Sequence, residues 1–368
     1  MKVTIIGPAY PLRGGIAHHV YYLERELTAR GHTVQVISFR KLYPALLFPG
    51  KTEFDTSAAR LDANGIALLN ALNPITWARA AKAVKAFSPE VVIFQWWHPF
   101  FALMVGTLAR MFRSKGLRCI LECHNVFSHE SGSFDRLLLG FAAKPIDSFI
   151  THSSSDRRDF VPFASGKRIS VSPLPVPNEF SGGVNPTRNG RTLLFFGMVR
   201  KYKGLDVLLR AMPKVLAHEE CRECRLLIAG EFYDSVDKYQ KLIQENGLEE
   251  YVSIDNRYVP NEEIAGLFNS VDVLVLPYLN ATQSAVARIA LANALPLIAS
   301  RTGGLQEIVI EDFNGLLFPV ADSDALAEQI IFYFSHNLGP VFAKNIQSTA
   351  TKGREQLGSV IEEMVREW

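Results

Sequence analysis

Three cations lie within four residues in a glycine-flanked loop in the second half of the chain. The segment, GMVRKYKG at 197–204, stands between a predicted strand at 192–196 and a predicted helix at 205–218. The first turn of a helix presents free N–H groups and the positive end of its dipole, and both favour phosphate. Arg200 and Lys203 are therefore candidates to bind a diphosphate. A solvated basic turn is the alternative interpretation.

A second candidate segment, GPAYPLRGGI at 7–16, follows the first apolar run of the chain. Gly14 and Gly15 stand at the start of a predicted helix, where a backbone without side chains can approach an anion or a sugar oxygen. The segment lacks the G-x-G-x-x-G spacing of dinucleotide-binding folds, which argues against a dehydrogenase. A plain turn into a core helix is the alternative.

Short polar side chains follow the very apolar run at 271–277. Thr282, Gln283 and Ser284 could bind a ligand, and they could equally cap the helix that follows; the two roles are compatible. A further strand end carries Gly303 and Gly304.

Histidines provide the candidate groups of the first half of the chain. His124 and Asn125 end a predicted strand at 119–122, where His124 could contact a sugar or act in proton transfer; a structural histidine is the alternative. His98, His129 and His152 show no metal-ligand spacing with one another, so we predict no metal site. The C-x-x-C pair Cys221 and Cys224 has no second ligand pair nearby and is assigned to packing.

These segments require a scaffold that alternates strands and helices. The alternation occurs twice, separated by a Pro- and Gly-rich stretch at 177–190 that we interpret as a linker. The sequence therefore predicts two facing Rossmann-like α/β domains with parallel sheets and a cleft between them, at 1–180 and 191–350. A final helix at 351–368 completes the chain.

Composition limits the possible partners. The 368 residues include 39 Lys and Arg against 37 Asp and Glu, without a long run of one sign, so no nucleic acid is expected. The chain starts without the features of an export signal and lacks a membrane-spanning apolar run, which predicts a cytoplasmic protein, possible also at the inner face of the membrane. The aromatic segments at 42–49 and 96–101 could meet a lipid-linked acceptor at a membrane surface, or simply pack in the core.

Together the motifs resemble the retaining glycosyltransferases of family four, which have the GT-B fold. The resemblance is carried by 197–204, Ala229-Gly230-Glu231, Ala294-Leu295-Pro296, Gly303-Gly304 with Glu307, and Asn314-Gly315. It implies transfer of a hexosyl unit from a UDP- or GDP-linked sugar to a hydroxyl of a sugar, lipid-linked or small-molecule acceptor, without a cofactor or metal. In such enzymes the final helix packs back on the N-terminal domain.

The resemblance also assigns roles to residues. Arg200 and Lys203 would stabilise the departing diphosphate, with His124 as a third catalytic group. The remaining donor-binding residues would be Gly14, Gly15, Gly197, Glu231, Arg257, Tyr258, Val259, Thr282, Gln283 and Ser284. His98, His124 and Asn125 would face the acceptor.

One feature departs from the family. Its two glutamates, eight residues apart, are replaced by Ala281 and Ile289, so that Thr282, Gln283 and Ser284 would meet the donor instead. The departure keeps two alternatives open, a protein that binds a nucleotide sugar without turnover and a nucleotide-sugar epimerase of similar architecture.

Overall fold

The chain divides into two compact units in the computed structural model. The model describes residues 1–43, 52–126, 133–177, 179–182, 190–233, 235–349 and 357–368. The N-terminal unit comprises Met1–Thr56, Arg60–Pro175 and Glu355–Trp368; the C-terminal unit comprises Ser57–Ala59 and Val176–Arg354. Positions 178 and 183–189 of the predicted linker lie outside the described residues.

Seven parallel strands form the sheet of the N-terminal unit, in the order β3-β2-β1-β4-β5-β6-β7. The strands are β1 (Lys2–Ile6), β2 (Thr33–Lys41), β3 (Ile66–Asn70), β4 (Val91–Trp96), β5 (Arg118–Cys123), β6 (Ser148–Thr151) and β7 (Ile169–Val171). The helices are α1 (Gly15–Ala29), α2 (Pro74–Phe87), α3 (Ala102–Arg113), α4 (Ser133–Ala143) and α5 (Ser154–Ala164). The winding direction reverses between β1 and β4, and open α/β sheets bind ligands at the carboxyl end of such a reversal.

Six parallel strands form the sheet of the C-terminal unit, in the order β10-β9-β8-β11-β12-β13. The strands are β8 (Thr192–Phe196), β9 (Arg225–Ala229), β10 (Val252–Asp255), β11 (Val273–Leu276), β12 (Leu297–Ser300) and β13 (Gly315–Phe318). The helices are α6 (Leu205–Ala217), α7 (Val236–Glu245), α8 (Asn261–Asn269), α9 (Ala285–Ala292), α10 (Leu305–Ile308), α11 (Ser323–Ser335) and α12 (Leu338–Thr349). Here the winding reverses between β8 and β11. The last helix, α13 (Leu357–Arg366), belongs to the N-terminal unit.

The predicted α/β class with parallel sheets is confirmed for each unit. Central strands such as β4 and β11 are buried along their whole length, as strands covered on both faces must be, and each unit has its own apolar core. Among the described residues, no helix combines the length and the apolar character that crossing a membrane requires.

Candidate functional site

The two cations of the 197–204 loop occupy different environments. The loop leaves β8 at Gly197 and forms a 3-10 turn at Lys201–Lys203. Arg200 is exposed, and its guanidinium carbon lies 4.7 Å from the centre of the Tyr233 ring. Lys203 is only 5% exposed, and its Nζ donates to the carbonyl of Phe196 at 3.4 Å. The prediction of a solvated basic turn is therefore wrong for Lys203.

Burial changes the acid strength of Lys203. Loss of water around the ammonium group, and secondarily the charge of Arg200, lower the pKa of Lys203 to about 7. The side chain is thus poised between its charged and neutral forms near neutral pH. A phosphate placed beside it would favour the charged form.

Glycines allow the loops at neighbouring strand ends to touch. A Cβ atom on Gly204 would lie 1.9 Å from the carbonyl oxygen of Pro277, and Leu279 N–H donates to the carbonyl of Tyr202 at 2.7 Å. These contacts join the loop after β8 to the loop after β11. On the other side, a Cβ on Gly230 would lie 2.2 Å from the carbonyl oxygen of Gly197. The basic loop is therefore fixed at the reversal point of the sheet.

The segment before α9 is fixed in the same way. Ser284 is buried and its Oγ accepts from the N–H of Ala287 at 3.1 Å, which makes it the cap of α9. Thr282 and Gln283 are partly exposed, and the carbonyl of Thr282 accepts from Gly304 N–H at 3.1 Å. The capping interpretation is confirmed for Ser284. Binding of a ligand by these three residues stays a prediction.

Apolar side chains stand where the family's glutamates are expected. Ala281 and Ile289 are both buried, at 4% and 7% exposure. A Cβ on Gly303 would lie 1.5 Å from the carbonyl oxygen of Ala281, so this stretch of backbone is closely packed.

Sequence reasoning missed a cation nearby. Arg288 of α9 has an enclosed Nε without a hydrogen-bond partner among the described residues, and burial lowers its pKa to about 10.

The remaining residues predicted to bind the donor differ in burial and in their partners. Glu231 is buried, and its carbonyl accepts from Val199 N–H at 2.9 Å. Arg257 is exposed and forms ion pairs with Asp255 and Glu263, so these carboxylates already engage its guanidinium. Tyr258 is partly exposed and Val259 is buried. Pairing of a nucleobase with the backbone of 257–259 stays a prediction.

In the N-terminal unit, Gly14 is the residue that precedes α1. It has φ of 115°, no side chain among the described residues caps the helix, and the space beside its Cα is open. Gly15 is exposed and begins the helix. The free N–H groups of the first turn can therefore receive a ligand oxygen.

His124 lies in a buried network. Its Nε2–H donates to Gln95 Oε1 at 2.6 Å, and Gln95 Nε2–H donates to Glu122 Oε2 at 2.7 Å. Glu122 Oε1 accepts from His19 Nε2–H at 2.6 Å and lies 3.5 Å from His152 Nε2. Sequence reasoning missed His19, which is 103 residues from Glu122 along the chain.

The network sets the charge of its members. Burial alone would raise the pKa of Glu122, but the imidazoles of His19, His152 and His124 hold it well below its usual range. Burial, with the neighbouring His19 and His152, holds the pKa of His124 well below its usual range. His124 therefore enters any reaction as a neutral imidazole.

Four side chains of this network are types that ligate metals. One ligand atom from each of His19, Glu122, His124 and His152 lies within 4.8 Å of the others. Ligands of a tetrahedral zinc ion with bonds of 2.0–2.1 Å stand roughly 3.3 Å apart. The 2.6 Å separation between His19 and Glu122 is a hydrogen-bond distance. A shared proton fits this arrangement better than an ion does.

The other candidate groups differ in environment. His98 is exposed, and its Nδ1 accepts from Phe100 N–H at 3.1 Å. Trp96 and Phe101 are fully buried, so the membrane interpretation is wrong for them and core packing is correct. Cys221 and Cys224 are buried free thiols in contact with each other. Asn125 is partly exposed beside His124. Outside the described residues lie His129 and positions 44–49 of the first aromatic segment.

Comparison with known proteins agrees with the geometry. Residues 13–180 match the family described as Glycosyltransferase Family 4, and residues 190–336 match Glycosyl transferases group 1. The two units with parallel sheets have the GT-B fold. The chain belongs to glycosyltransferase family four.

Relatives cover different shares of the chain. D-inositol 3-phosphate glycosyltransferase of Corynebacterium diphtheriae is 31% identical over 149 residues, which span 38% of this chain and 34% of that protein. Sucrose-phosphate synthase of Thermosynechococcus elongatus has a TM-score of 0.76 at 20% identity and is matched over 100% of this chain and 99% of its own. HepE of Anabaena in complex with UDP-glucose has a TM-score of 0.74 at 16% identity, over 100% and 98%. These structures share the fold.

Proposed function

We propose that the protein transfers a hexosyl unit, with retention, from a UDP- or GDP-linked sugar to an acceptor hydroxyl. The observation that carries the proposal is the basic loop fixed at the sheet reversal of the C-terminal unit, with Lys203 buried in it and Arg200 exposed. The leaving diphosphate gains negative charge as the glycosidic bond breaks, and fixed cations lower the energy of that state. HepE, which shares the fold, is seen with UDP-glucose.

In this mechanism Arg200 and Lys203 bind the diphosphate oxygens, and the N–H groups at the start of α6 and α9 add to the positive field. With retention, the acceptor attacks the face that the diphosphate leaves, and a diphosphate oxygen takes the acceptor proton. Thr282 and Gln283 would contact the donor where the family's glutamates are missing. His98, His124 and Asn125 stand at the strand ends of the N-terminal unit and would orient the acceptor.

The test compares two lysines of one loop. Lys203→Met removes the buried ammonium group, and Lys201→Met removes an exposed one four residues before Leu205, where α6 begins. We expect Lys203→Met to lower the rate of nucleotide release from UDP- and GDP-sugars at least about 100-fold, the size of losing one preorganised charge contact. Lys201→Met should keep most of the activity. Equal activity of both variants would refute the proposed phosphate site.

A second function, binding of a nucleotide sugar without turnover, is favoured by one observation. Ala281 and Ile289 replace both family glutamates and are buried. The same assay separates the two functions when a donor panel is also followed by thermal shift. Stabilisation by a nucleotide sugar without released nucleotide, across a panel of acceptors, would select the binding function.

A further inference from the structure

Helix α4 exposes apolar side chains on the face opposite its buried one. Leu139 and Ala142 are buried against the core, whereas Phe134 and Leu137 are 68% and 71% exposed and Phe141 is 37% exposed. The spacing of 134, 137 and 141 places the exposed three on one stripe. A helix of a water-soluble fold normally turns such a stripe inward, so this outward stripe indicates a partner.

Helix α3 extends the apolar surface. A Cβ on Gly106 would lie 2.5 Å from the ring of Phe141, so the two helices pack closely at this point. Leu103, which precedes Gly106 by one turn on the same side of α3, is 57% exposed. We call Leu103, Phe134, Leu137 and Phe141 the α3–α4 apolar stripe.

A basic cavity adjoins the stripe. It has a volume of about 370 Å³ and is lined by Arg110, Arg113, Ser114, Lys144 and Pro145, without a carboxylate. Arg110 connects the two features, because its guanidinium carbon lies 4.0 Å from the centre of the Phe141 ring. Within the described part of the chain, neither Arg113 nor Lys144 takes part in a salt bridge.

We propose that the α3–α4 apolar stripe and its basic cavity dock the N-terminal unit onto an anionic lipid bilayer. Phe and Leu side chains enter the boundary between headgroups and acyl chains, while the cations meet lipid phosphates, the combination found in interfacial helices. The charge decides between occupants: a cavity whose charged lining residues are all cations matches a surface rich in phosphate. Helix α4 is the helix that follows β5 and His124, so a lipid-borne acceptor would approach that strand end. This last point rests on the proposed function, but membrane binding does not.

Co-sedimentation of the full chain with vesicles tests the proposal. The vesicles are phosphatidylcholine alone or phosphatidylcholine with phosphatidylglycerol. We expect binding to the mixed vesicles only, weakened by salt. Leu137→Asp should reduce the vesicle partition coefficient at least about tenfold, because the stripe loses a leucine that would be buried in the bilayer. Ile75→Asp on α2, whose side chain is 64% exposed, is the matched control and should bind as the unmodified chain does.

The charge contribution is tested separately. The double variant Arg113→Glu, Lys144→Glu should lose at least about tenfold, since each cation near an anionic surface contributes about fivefold. The control, Lys82→Glu with Lys85→Glu on α2, also reverses the charge of two exposed cations and should lose much less. Equal binding to both vesicle types, or equal losses in test and control variants, would overturn the proposal.

Two further readouts keep the outcomes distinct. Sedimentation velocity reports self-association; if Leu137→Asp abolishes a dimer and leaves vesicle binding intact, the stripe is a protein contact and the proposal fails. Donor binding, followed by thermal shift, should be the same in all these variants. If the unmodified chain binds no donor, the proposed function is refuted and the membrane result is unaffected.

Discussion

Under the proposed function, Lys203 carries much of the chemistry of the C-terminal unit. Its ammonium group is buried under the loop that it belongs to, donates to the Phe196 carbonyl at 3.4 Å and lies 5.6 Å from the centre of the Tyr278 ring. A buried cation without a carboxylate is unfavourable in the unliganded protein, which is why its pKa falls to about 7. The same position becomes favourable when an anion enters, because the interaction is little screened by water.

Donor binding should therefore take up a proton near neutral pH. Lys203 is partly neutral at pH 7 and above, and a bound diphosphate raises its pKa again, so affinity should fall as the pH rises above about 7. Titration calorimetry of UDP or GDP in buffers of different ionisation enthalpy measures this uptake. The uptake should be close to one proton at about pH 8.5 and absent in Lys203→Met. The same uptake in Lys203→Met would assign the proton to another group.

Glu122 should matter for the stability of the N-terminal unit. It accepts from His19 and Gln95 in a fully buried position, so Glu122→Gln leaves amide hydrogens facing His19. We expect a loss of about 3–5 kcal/mol in the free energy of unfolding. All four tryptophans, Trp77, Trp96, Trp97 and Trp368, belong to this unit, so tryptophan fluorescence during urea unfolding reports on it.

The pH dependence follows from the depressed pKa of Glu122. Its stabilising contribution is present above the unfolded value of about 4.3 and is lost as the pH falls toward the lower folded value. Glu90→Gln, at an exposed carboxylate, is the matched control and should change stability little. A similar, small effect of both substitutions would show that the histidine network contributes nothing to the fold.

At the scale of elements, glycines decide how closely the strand-end loops approach. Gly204→Ala would place a methyl group 1.9 Å from the carbonyl oxygen of Pro277, in addition to the strain of its φ of 66°. We expect it to displace the basic loop and to cost more than about 2 kcal/mol. Gly247 has a similar φ of 61° but open space around it. Gly247→Ala therefore measures the cost of the positive φ alone, which we expect to lower the free energy of unfolding by about 1 kcal/mol. Hydrogen exchange at 197–204 and at 277–284 distinguishes the two variants.

Most elements with strong apolar patterns were predictable, although the buried strand β13 was missed behind its Asn314-Gly315 turn. The buried runs of β1, β4, β8 and β11 stand out in the sequence because both faces of these strands are covered. Strand β3 was missed because it is short, mostly exposed or half-buried, and lies at the edge of its sheet. Helix α2 follows β3 and was missed with it.

The candidate site was predictable where one segment carries it and not where tertiary contacts build it. The GMVRKYKG segment combines cations with flanking glycines between an apolar run and a helical pattern. Its predicted place between β8 and α6 was therefore correct. Spacing along the chain gave no sign that Lys203 is buried while Arg200 is exposed. The joining of His19 to Glu122 depends on the packing of α1 against β5, which no local pattern contains.

At the scale of the whole molecule, each unit has its own sheet, core and winding reversal. The C-terminal unit places cations at its reversal, and the N-terminal unit places an uncapped helix start and a neutral histidine at the strand ends of its own. Under the proposed function, the C-terminal unit would hold the charged leaving group and the N-terminal unit would receive the acceptor hydroxyl.

A crystal structure with bound UDP or GDP tests the central claim most directly. We expect diphosphate oxygens within hydrogen-bond distance of Lys203 Nζ and of the guanidinium of Arg200, beside the first turn of α6. A nucleotide bound away from this reversal point, with both cations turned from it, would contradict the account.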